Sequence, residues 1–461
     1  MKPAEALASV WRVLGGDPAA LADARVTGEE PALPGPFRVG AAAAASIGAA
    51  GLAAAEVWRA RTGRRQAVTI DLRTAAVAFR SERYLRVEGR PADEVWHPVS
   101  GVYRAGDGRY ILLHCNFPHH RAGVLASLGC EATREAFAAA VLRWDAPALE
   151  DRLAGAGLCA AMIRSPEEWR AHPHGRAVAA LPLLELERIG DAPPAPIGPG
   201  ARPLAGLRVL DLTRVIAGPV CGRTLAEHGA DVLLLTGPHL PSIELHVIDM
   251  GRGKRSAQLD LRRAADADRL RGLLREADVF VQAYRPGALD ALGFGPEAVA
   301  ALRPGIVYVT LCAWGWAGPW SARRGFDSLV QSASGIAHEG GAAAGLDRPR
   351  HLPAQALDHA TGYLAAAAAM QALVRRAREG GSWRVRLSLA QTGRWLDGLG
   401  RLDGVAGPDP GVDDVADLLE SSDTRWGRLR HVAPAARLAE TPGRWALPAV
   451  PLGTHDAAWW S

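Results

Sequence analysis

The sequence predicts an α/β protein built on a doubly wound, Rossmann-like parallel sheet, with a smaller α+β domain. The first observation is that short apolar strands alternate with helical segments in the part of the chain that follows residue 204. The second is a Pro/Gly-rich stretch, 189–203, which favours neither a helix nor a central strand and indicates a linker. These observations divide the chain into residues 1–190, a linker over 191–203 and a Rossmann-like part, 204–461.

The strands of the Rossmann-like part are short and almost entirely apolar. Strands that are buried on both faces appear as unbroken apolar runs, so this pattern predicts a parallel sheet with helices on both sides. In such a sheet the ligand lies beyond the carboxyl ends of the strands. No GxGxxG sequence follows the first strand, which argues against a dinucleotide site. The predicted strands are 208–212, 231–235, 278–282 and 306–312, with helices over 220–228 and 264–276.

The smaller domain is predicted from a hairpin pattern within the first 190 residues. Two short strands, 101–104 and 109–114, flank the turn sequence Ala-Gly-Asp-Gly at 105–108. Two helical segments follow, around 121–128 and 134–142. A hairpin followed by helices predicts a small α+β unit.

Size and composition describe an ordinary globular protein. The chain has 461 residues, with 48% hydrophobic residues, 22% charged residues and a formal net charge of +4. Lysine and arginine form no basic stripe, so we expect no binding of nucleic acid. The N-terminus has no signal-peptide pattern and the apolar stretch 41–55 is too short to span a bilayer, so we expect no membrane association. Five widely spaced cysteines without a CxxC or Cys/His cluster predict neither a metal site nor disulfides, and indicate a cytoplasmic protein.

An internal repeat links the two parts of the chain. In each part an Ala-rich helix leads through a basic, Gly-containing turn into a short strand, over residues 40–75 and 357–392. When Gly48 is aligned with Gly362, Ala44 stands opposite Asp358. One copy carries a carboxylate that the other lacks, which favours a special role for Asp358.

Asp358 is the candidate catalytic residue. It precedes an Ala-rich run, 364–373, that predicts a buried helix. Burial of a carboxylate is costly unless the group is paired or hydrogen-bonded. Aspartate is also a preferred helix N-cap, and Thr361 stands at the capping-box spacing. The local sequence therefore leaves two interpretations, a helix cap and a chemical role.

Several short motifs in order resemble one known family. The segment Leu204–Pro219 resembles the opening signature of the class III CoA-transferases, the CaiB–BaiF family. The resemblance runs from 204 to about 395, and residues 1–190 resemble the later half of the family. It implies a class III CoA-transferase with a degenerate, truncated second copy at the N-terminus. The other matching runs are Arg252–Ser256, Ala277–Gly287, Gly315–Pro319 and Asp358–Gly362.

The resemblance implies an acyl-CoA:carboxylate CoA-transferase with Asp358 as its nucleophile. In this family the aspartate attacks an acyl-CoA thioester to give a mixed anhydride, and an aspartyl-CoA thioester then passes CoA to a second carboxylic acid. A carboxylate suits this role because it is ionised at neutral pH, provided that water is excluded from the activated intermediate. Coenzyme A is then a substrate rather than a permanently bound cofactor. The resemblance also implies a homodimer.

The family's CoA-binding loops fall on residues after the first and third strands and on a basic loop between them. The cations of the basic loop have two interpretations, contact with CoA phosphates or exposure to solvent. Tyr284 has two as well, stacking on adenine or packing at the edge of the core. The implied CoA contacts are Arg214, Val215, Ala217, Arg252, Lys254, Arg255, Tyr284 and Arg285.

Departures from the family pattern define the alternatives. Ile216 stands where formyl-CoA transferases carry a glutamine, which argues against a formyl or oxalyl substrate. Phe326 stands where α-methylacyl-CoA racemases carry an acid/base histidine, which disfavours racemisation. His359 adjoins Asp358 and is interpreted as a helix-surface histidine. The truncated copies and an altered loop after Leu235 leave a non-catalytic CoA-binding or assembly subunit as the second interpretation, and a racemase-like enzyme as the third.

Overall fold

The computed structural model describes residues 1–92 and 96–460, and it confirms the predicted α/β class. The helices are α1 (Pro3–Val13), α2 (Val39–Thr62), α3 (Leu72–Ala78), α4 (Ser81–Tyr84), α5 (Pro118–Leu128), α6 (Arg134–Val141), α7 (Ala146–Gly155), α8 (Pro166–Ala171), α9 (Pro173–Ala179), α10 (Ala217–Glu227), α11 (Glu244–Met250), α12 (Ala264–Leu274), α13 (Pro296–Leu302), α14 (Asp327–Ala333), α15 (Ile336–Ala343), α16 (Ala356–Glu379) and α17 (Leu389–Gly398). The strands are β1 (Ala24–Thr27), β2 (Val68–Asp71), β3 (Arg86–Val87), β4 (Arg90–Pro91), β5 (Gly101–Arg104), β6 (Tyr110–Leu113), β7 (Ala160–Met162), β8 (Leu184–Gly190), β9 (Arg208–Leu212), β10 (Asp231–Thr236), β11 (Lys254–Gln258), β12 (Val279–Gln282), β13 (Val307–Cys312), β14 (Ser382–Ser388), β15 (Leu419–Thr424), β16 (Gly427–Val432) and β17 (Ala436–Leu438). Short 3-10 helices occupy Pro18–Asp23, Asp290–Leu292 and Asp413–Leu418.

The main sheet has the order β11-β10-β9-β12-β13-β14-β8. Its strands run parallel except for β8, which pairs antiparallel with β14 at one edge. Every residue of β12 and β13 is buried, as their apolar sequences predict. The strand order reverses between β9 and β12, so the loops after these two strands open a crevice at the carboxyl edge of the sheet.

The structure differs from the sequence-based prediction at the basic segment Arg252–Arg255. Lys254 and Arg255 begin strand β11, which pairs in parallel register with β10. The segment therefore lies inside the sheet, and its side chains do not extend from a surface loop.

The division at the 191–203 linker also differs in part. The linker carries no helix or strand, as predicted. However, β8 precedes it and completes the edge of the main sheet, while β16 and β17, near the C-terminus, pair with β3 and β2 of the N-terminal part. The two parts therefore share sheets across the predicted boundary.

The small α+β unit matches the sequence-based expectation. Strands β5 and β6 form the predicted antiparallel hairpin, and β7 adds to its other side. Helices α5, α6 and α7 pack on this sheet around a common core that includes Tyr103, Val124, Phe137 and Leu149. The unit reaches the carboxyl ends of the main-sheet strands, and the ring of Phe117 lies 5.9 Å from the ring of Phe326 between centroids.

Two Ala-rich helices, α2 and α16, pack against each other in the centre of the molecule. Small side chains allow this close packing because they let two helix backbones approach. Among the described helices, α2 is long and apolar enough to pass for a membrane span, and its apolar window is entirely buried inside the protein.

Candidate active site

Asp358 lies in the first turn of α16, three residues after the N-cap residue Gln355. The helix cap is therefore not Asp358, and its carboxylate accepts no hydrogen bond from the described residues. The residue is 7% exposed, so the carboxylate is almost buried but still reaches a cavity. A carboxylate near a helix N-terminus is stabilised by the helix dipole. The structure thus excludes Asp358 as the N-cap residue of α16.

A second carboxylate, Asp327 at the start of α14, contacts the backbone of Asp358. The N–H group of Asp358 donates to Oδ2 of Asp327 at 2.8 Å, and the side-chain amide of Gln331 donates to Oδ1. Burial raises the pKa of Asp327 to about 6, against the lowering effect of these hydrogen bonds. Burial also raises the pKa of Asp358, and the charges of Asp327 and Glu82 raise it further. The two carboxyl groups titrate as a pair within one buried site.

Glu82 comes from the N-terminal part and meets the residue next to Asp358. Its Oε2 atom lies 3.1 Å from Nε2 of His359, and Phe79 stacks on the His359 ring at 5.5 Å. Burial opposes ionisation of Glu82, but the hydrogen bond and charge interaction with His359 outweigh it and lower the pKa of Glu82. His359 is 0% exposed, so its interpretation as a helix-surface histidine was wrong. It is a buried contact between the two parts of the chain.

A cavity of about 430 Å³ opens on one side of Asp358. We call it the α4 cavity, because α4 and the adjoining chain supply Glu82, Arg83, Leu85 and Arg86 to its wall. The rest of the wall is mainly apolar and comes from both parts of the chain. It includes Trp96, Phe117, Ile216, Ile243, Leu245 and Phe326.

A second cavity, of about 330 Å³, opens on the other side of Asp358. We call it the strand-end cavity, because it lies beyond the carboxyl ends of β9, β12 and β13. The two cavities share Phe117, Val215, Ile216, Phe326 and Asp358. Of the residues that the resemblance implied as CoA contacts, the structure brings Arg214, Val215, Ala217, Tyr284 and Arg285 to the strand-end cavity.

The chain between β9 and α10 is strained at the junction of the two cavities. Val215 has φ = 72°, a left-handed conformation that is unfavourable for a β-branched residue. Helix α10 begins at Ala217, and Gly362 on α16 lets it approach closely, because a Cβ atom at Gly362 would lie 2.4 Å from the carbonyl oxygen of Ala217. The N–H groups of Val215, Ala217 and Gly218 have no acceptor among the described residues. These N–H groups are candidates to stabilise negative charge near Asp358.

The structure places Arg252, Lys254 and Arg255 away from both of these cavities, in buried ion pairs. Lys254 Nζ lies 2.8 Å from Oδ2 of Asp211, and Arg252 and Arg255 each lie 2.7 Å from an aspartate oxygen. These three side chains are at most 2% exposed. Because their charges are already compensated inside the protein, we do not assign CoA phosphates to them.

Sequence reasoning missed the contributions of the small α+β unit and of Arg324. His119, His120 and Arg324 line the strand-end cavity, and Arg324 Nη1 lies 3.3 Å from Nε2 of His120. His114 lines the α4 cavity and stacks on Phe326 at 4.0 Å between ring centroids. Burial lowers the pKa of His114 to about 4, so the ring is neutral at pH 7. The adjacent pair His119-His120 was a visible signal, but no spacing rule connects it to Arg324, which follows about 200 residues later.

Comparison with known proteins places most of the chain in one family. The sequence profile of CoA-transferase family III matches residues 19–190 and 204–399. An acetyl-coenzyme A transferase nodX of Hypoxylon pulicicidum is 34% identical over 328 residues, which cover 65% of this chain and 54% of that protein. An acyl-CoA transferase of Gibberella moniliformis is 28% identical over 417 residues, covering 81% of this chain and 73% of that protein. This chain therefore spans about half the length of the first relative and about three quarters of the second.

Two further comparisons involve a mammalian enzyme and a solved structure. A succinyl-CoA:glutarate CoA-transferase of Mus musculus is 34% identical over 192 residues, covering 39% of this chain and 43% of that protein. The crystal structure of a CAIB/BAIF family protein from Brucella suis aligns with a TM-score of 0.40 and 26% identity, covering 50% of this chain and 65% of that chain.

Proposed function

Because this chain belongs to CoA-transferase family III, we propose that it moves coenzyme A from an acyl-CoA thioester to a carboxylic acid, with Asp358 as the nucleophile. The observation that carries the proposal is the position of Asp358. Its carboxylate lies where the α4 cavity and the strand-end cavity meet, so one reactive group contacts both halves of a bound thioester. The names of the relatives, which include acyl-CoA and acetyl-CoA transferases, support the same reaction class.

The reaction proceeds by exchange of acyl groups on the Asp358 carboxylate. A carboxylate oxygen attacks the thioester carbon, and CoA leaves as the thiolate while a mixed anhydride forms. The thiolate then attacks the aspartyl carbonyl carbon, which releases the first acid and leaves an aspartyl-CoA thioester. The acceptor carboxylate attacks this thioester to give a second anhydride and CoA thiolate. Attack of the thiolate on the acceptor carbonyl yields the new acyl-CoA and restores Asp358.

Burial of Asp358 has two consequences for this chemistry. Water is largely excluded, which protects the anhydride and thioester from hydrolysis. The raised pKa means that Asp358 is protonated at a higher pH than an exposed aspartate, so we expect activity to fall as the pH falls through that raised pKa. The free N–H groups at the start of α10 offset part of the charge that develops on the thioester oxygen.

The strand-end cavity is the proposed CoA site. It carries Arg214, Arg285 and Arg324, and the ring of Tyr284 lies at the same cavity. No carboxylate of the described residues lies within 4 Å of these three guanidinium groups, so they retain charge for the phosphates of CoA. Arg214 also lies over the ring of Phe117 at 5.5 Å. This arrangement directs the thioester end of CoA toward Asp358.

We further propose that residues 1–190 are a truncated second copy that now supplies one wall of the site. The support is local: α2 is followed by β2 and α3 as α16 is followed by β14 and α17. The N-terminal part contributes Glu82, His114 and Phe117 to cavities that also contain Asp358. A homodimer stays a prediction, and a solution mass near that of one chain in light scattering would contradict it.

Trapping with hydroxylamine tests the nucleophile. The protein is incubated with a panel of acyl-CoA thioesters and hydroxylamine, which converts an activated aspartate into a stable hydroxamate, and the peptides are examined by mass spectrometry. We expect the modification on Asp358 and its loss in Asp358→Ala, while Asp268→Asn, an exposed residue of α12, serves as the control. If Asp358→Ala retains full CoA exchange, the assignment of the nucleophile is wrong. Binding of CoA without any modification or exchange would favour a non-catalytic subunit.

One structural observation bears on the third interpretation, a racemase-like reaction: His114 stacks on Phe326 and lines the α4 cavity together with Asp358. Incorporation of solvent deuterium at the α-carbon of a 2-methylacyl-CoA, without an acceptor acid, would favour it.

A further inference from the structure

The α4 cavity has an unusual distribution of charge. Three carboxylates, Glu82, Asp327 and Asp358, line it, and Asp358 is the candidate nucleophile among them. Two arginines, Arg83 on α4 and Arg86 on β3, also line the wall that the N-terminal part supplies. The remaining wall is largely apolar. An incoming carboxylic acid is itself an anion, so these three acids repel it unless cations of the cavity compensate.

The two arginines are available for a ligand. Nη1 of Arg86 donates to the carbonyl oxygens of Arg83 and Leu85, at 3.0 and 2.9 Å, which holds the guanidinium against the backbone. Within residues 1–92 and 96–460, no carboxylate lies within 4 Å of the guanidinium of Arg83 or Arg86. Among the described residues, the two acids near Arg83 have other partners, since Glu82 pairs with His359 and Asp409 pairs with Arg80.

We propose that the α4 cavity takes an acid with a second carboxylate, an α,ω-dicarboxylic acid or its half-thioester, and that Arg83 and Arg86 bind the carboxylate that does not react. One carboxylate meets Asp358 while the other forms charge-assisted hydrogen bonds with the guanidinium groups. The apolar wall of the cavity, including Trp96, Ile243 and Leu245, contacts the methylene chain. Binding at both ends fixes the orientation of the reacting group. This inference rests on the proposed CoA-transferase function.

A matched set of acceptor acids tests the proposal. CoA exchange is measured with straight-chain dicarboxylic acids of four to eight carbons and with monocarboxylic acids of the same lengths. We expect the wild-type kcat/KM to favour at least one diacid over its monoacid by tenfold or more. In the double variant Arg83→Gln/Arg86→Gln, the ratio of diacid to monoacid should fall at least tenfold.

The control variant is Arg90→Gln. Arg90 lies on β4 in the same hairpin, is exposed and does not line the α4 cavity. We expect the diacid-to-monoacid ratio of this variant to equal that of the wild type. A wild-type preference for monoacids, an unchanged ratio in the double variant, or an equal change in Arg90→Gln would overturn the proposal.

A binding measurement separates this proposal from the proposed function. Titration calorimetry with the best diacid, with Asp358→Asn as the protein, measures occupation of the cavity without chemistry. We expect binding that is lost when Arg83→Gln and Arg86→Gln are added. If no acid supports CoA exchange but the diacid still binds through the arginines, the transferase function fails and the diacid site stands. If exchange occurs but no diacid binds, the diacid site fails and the transferase function stands.

Discussion

The helices α2 and α16 have the same length and the same local beginning, but they differ in chemistry. Each has 24 residues, and their N-cap residues, Arg38 and Gln355, have nearly identical backbone angles. At both, a carboxylate from the preceding chain accepts the N–H group of the third helical residue. Glu30 accepts from Ala41 at 2.7 Å, and Asp327 accepts from Asp358 at 2.8 Å. The same scaffold therefore holds an alanine in one helix and the candidate nucleophile in the other.

This comparison corrects the register of the internal repeat. The alignment of Gly48 with Gly362 placed Ala44 opposite Asp358, whereas the helix starts place Ala41 there. The following turn supports the structural register. Asp71 accepts from the N–H of Thr74 before α3, and Ser388 accepts from the N–H of Gln391 before α17, each at 3.1 Å. Glycine in an Ala-rich helix is a poor marker of register, because its position follows contacts with neighbouring elements.

The two helix starts differ in the electrostatic cost of the residue that each holds at its third position. Both helices are buried in the same core, where an alanine has no electrostatic cost. At position 358 the fold tolerates the electrostatic cost of a buried carboxylate. The cost is evident because burial and the charges of Asp327 and Glu82 raise the pKa of Asp358. The carboxyl group of Asp358 therefore lies in an unfavourable electrostatic environment at the junction of the two cavities. Groups with such perturbed pKa values are common at functional sites.

The largest expected effect comes from removing the carboxylate that α16 has and α2 lacks at the third helical residue. In Asp358→Asn the shape of the site is kept, but the amide is not a nucleophile. We expect CoA exchange to fall by about 10³-fold or more, with thermal unfolding at or above the wild-type temperature, since a buried charge has been removed. Asp358→Ala serves as a second variant, because slow deamidation of asparagine would restore aspartate. Activity within tenfold of the wild type in both variants would contradict the role of Asp358.

The reverse change places the carboxylate in the other helix. In Ala41→Asp the new group is fully buried and lies beside Glu30, whose Oε1 is 2.7 Å from the backbone nitrogen of residue 41. We expect a loss of about 3 kcal/mol or more in the free energy of unfolding, measured by urea denaturation. No exchange activity should appear when this change is combined with Asp358→Asn, because Ala41 lines neither cavity. Ala41→Ser is the matched control for the added volume. A stable Ala41→Asp protein would mean that the two helix starts do not differ in electrostatic cost.

The sequence predicted the central strands of the main sheet, because largely apolar runs such as 279–282 and 307–312 have few alternative structures. It did not predict the edge strands β8 and β11. It failed at Arg252–Arg255, since charges in a sequence suggest a surface loop unless their partners are known. The partners, Asp211, Asp231 and Asp249, come from elements that precede the segment by up to about 40 residues. Glu82 and His114 were missed for the same reason, as they reach the site only through the packing of the N-terminal part.

Two glycines, Gly362 in α16 and Gly48 in α2, test the close approach of α10 to α16. In Gly362→Ala the new Cβ atom would lie 2.4 Å from the carbonyl oxygen of Ala217, which is backbone and cannot rotate away. We expect a cost of about 1–3 kcal/mol in stability, and a fall in kcat/KM because the start of α10 is displaced from Asp358. In Gly48→Ala the nearest atoms are the side-chain ends of Ile70 and Leu7, at 3.1 and 3.2 Å. The gain in helix propensity, about 1 kcal/mol, offsets this contact, so we expect stability near that of the wild type. Equal effects of the two substitutions, measured by urea denaturation and CoA exchange, would contradict the role of Gly362.

The smallest effect concerns the residue that follows Asp358, the candidate nucleophile. In the structural register His359 stands opposite Ala42, so only α16 has the pair with Glu82. Glu82→Gln keeps a hydrogen-bonding group near His359 but removes one of the negative charges that raise the pKa of Asp358. The pKa of Asp358 should therefore fall, and the acidic limb of kcat/KM for CoA exchange should move to lower pH, since the nucleophile stays ionised further into acid. Glu135→Gln, on the exposed face of α6, is the control and should leave the pH profile unchanged. If Glu82 has a purely structural role, Glu82→Gln should lower stability and leave the acidic limb of the pH profile unchanged. A shift of that limb to higher pH would contradict the electrostatic effect of Glu82 on Asp358.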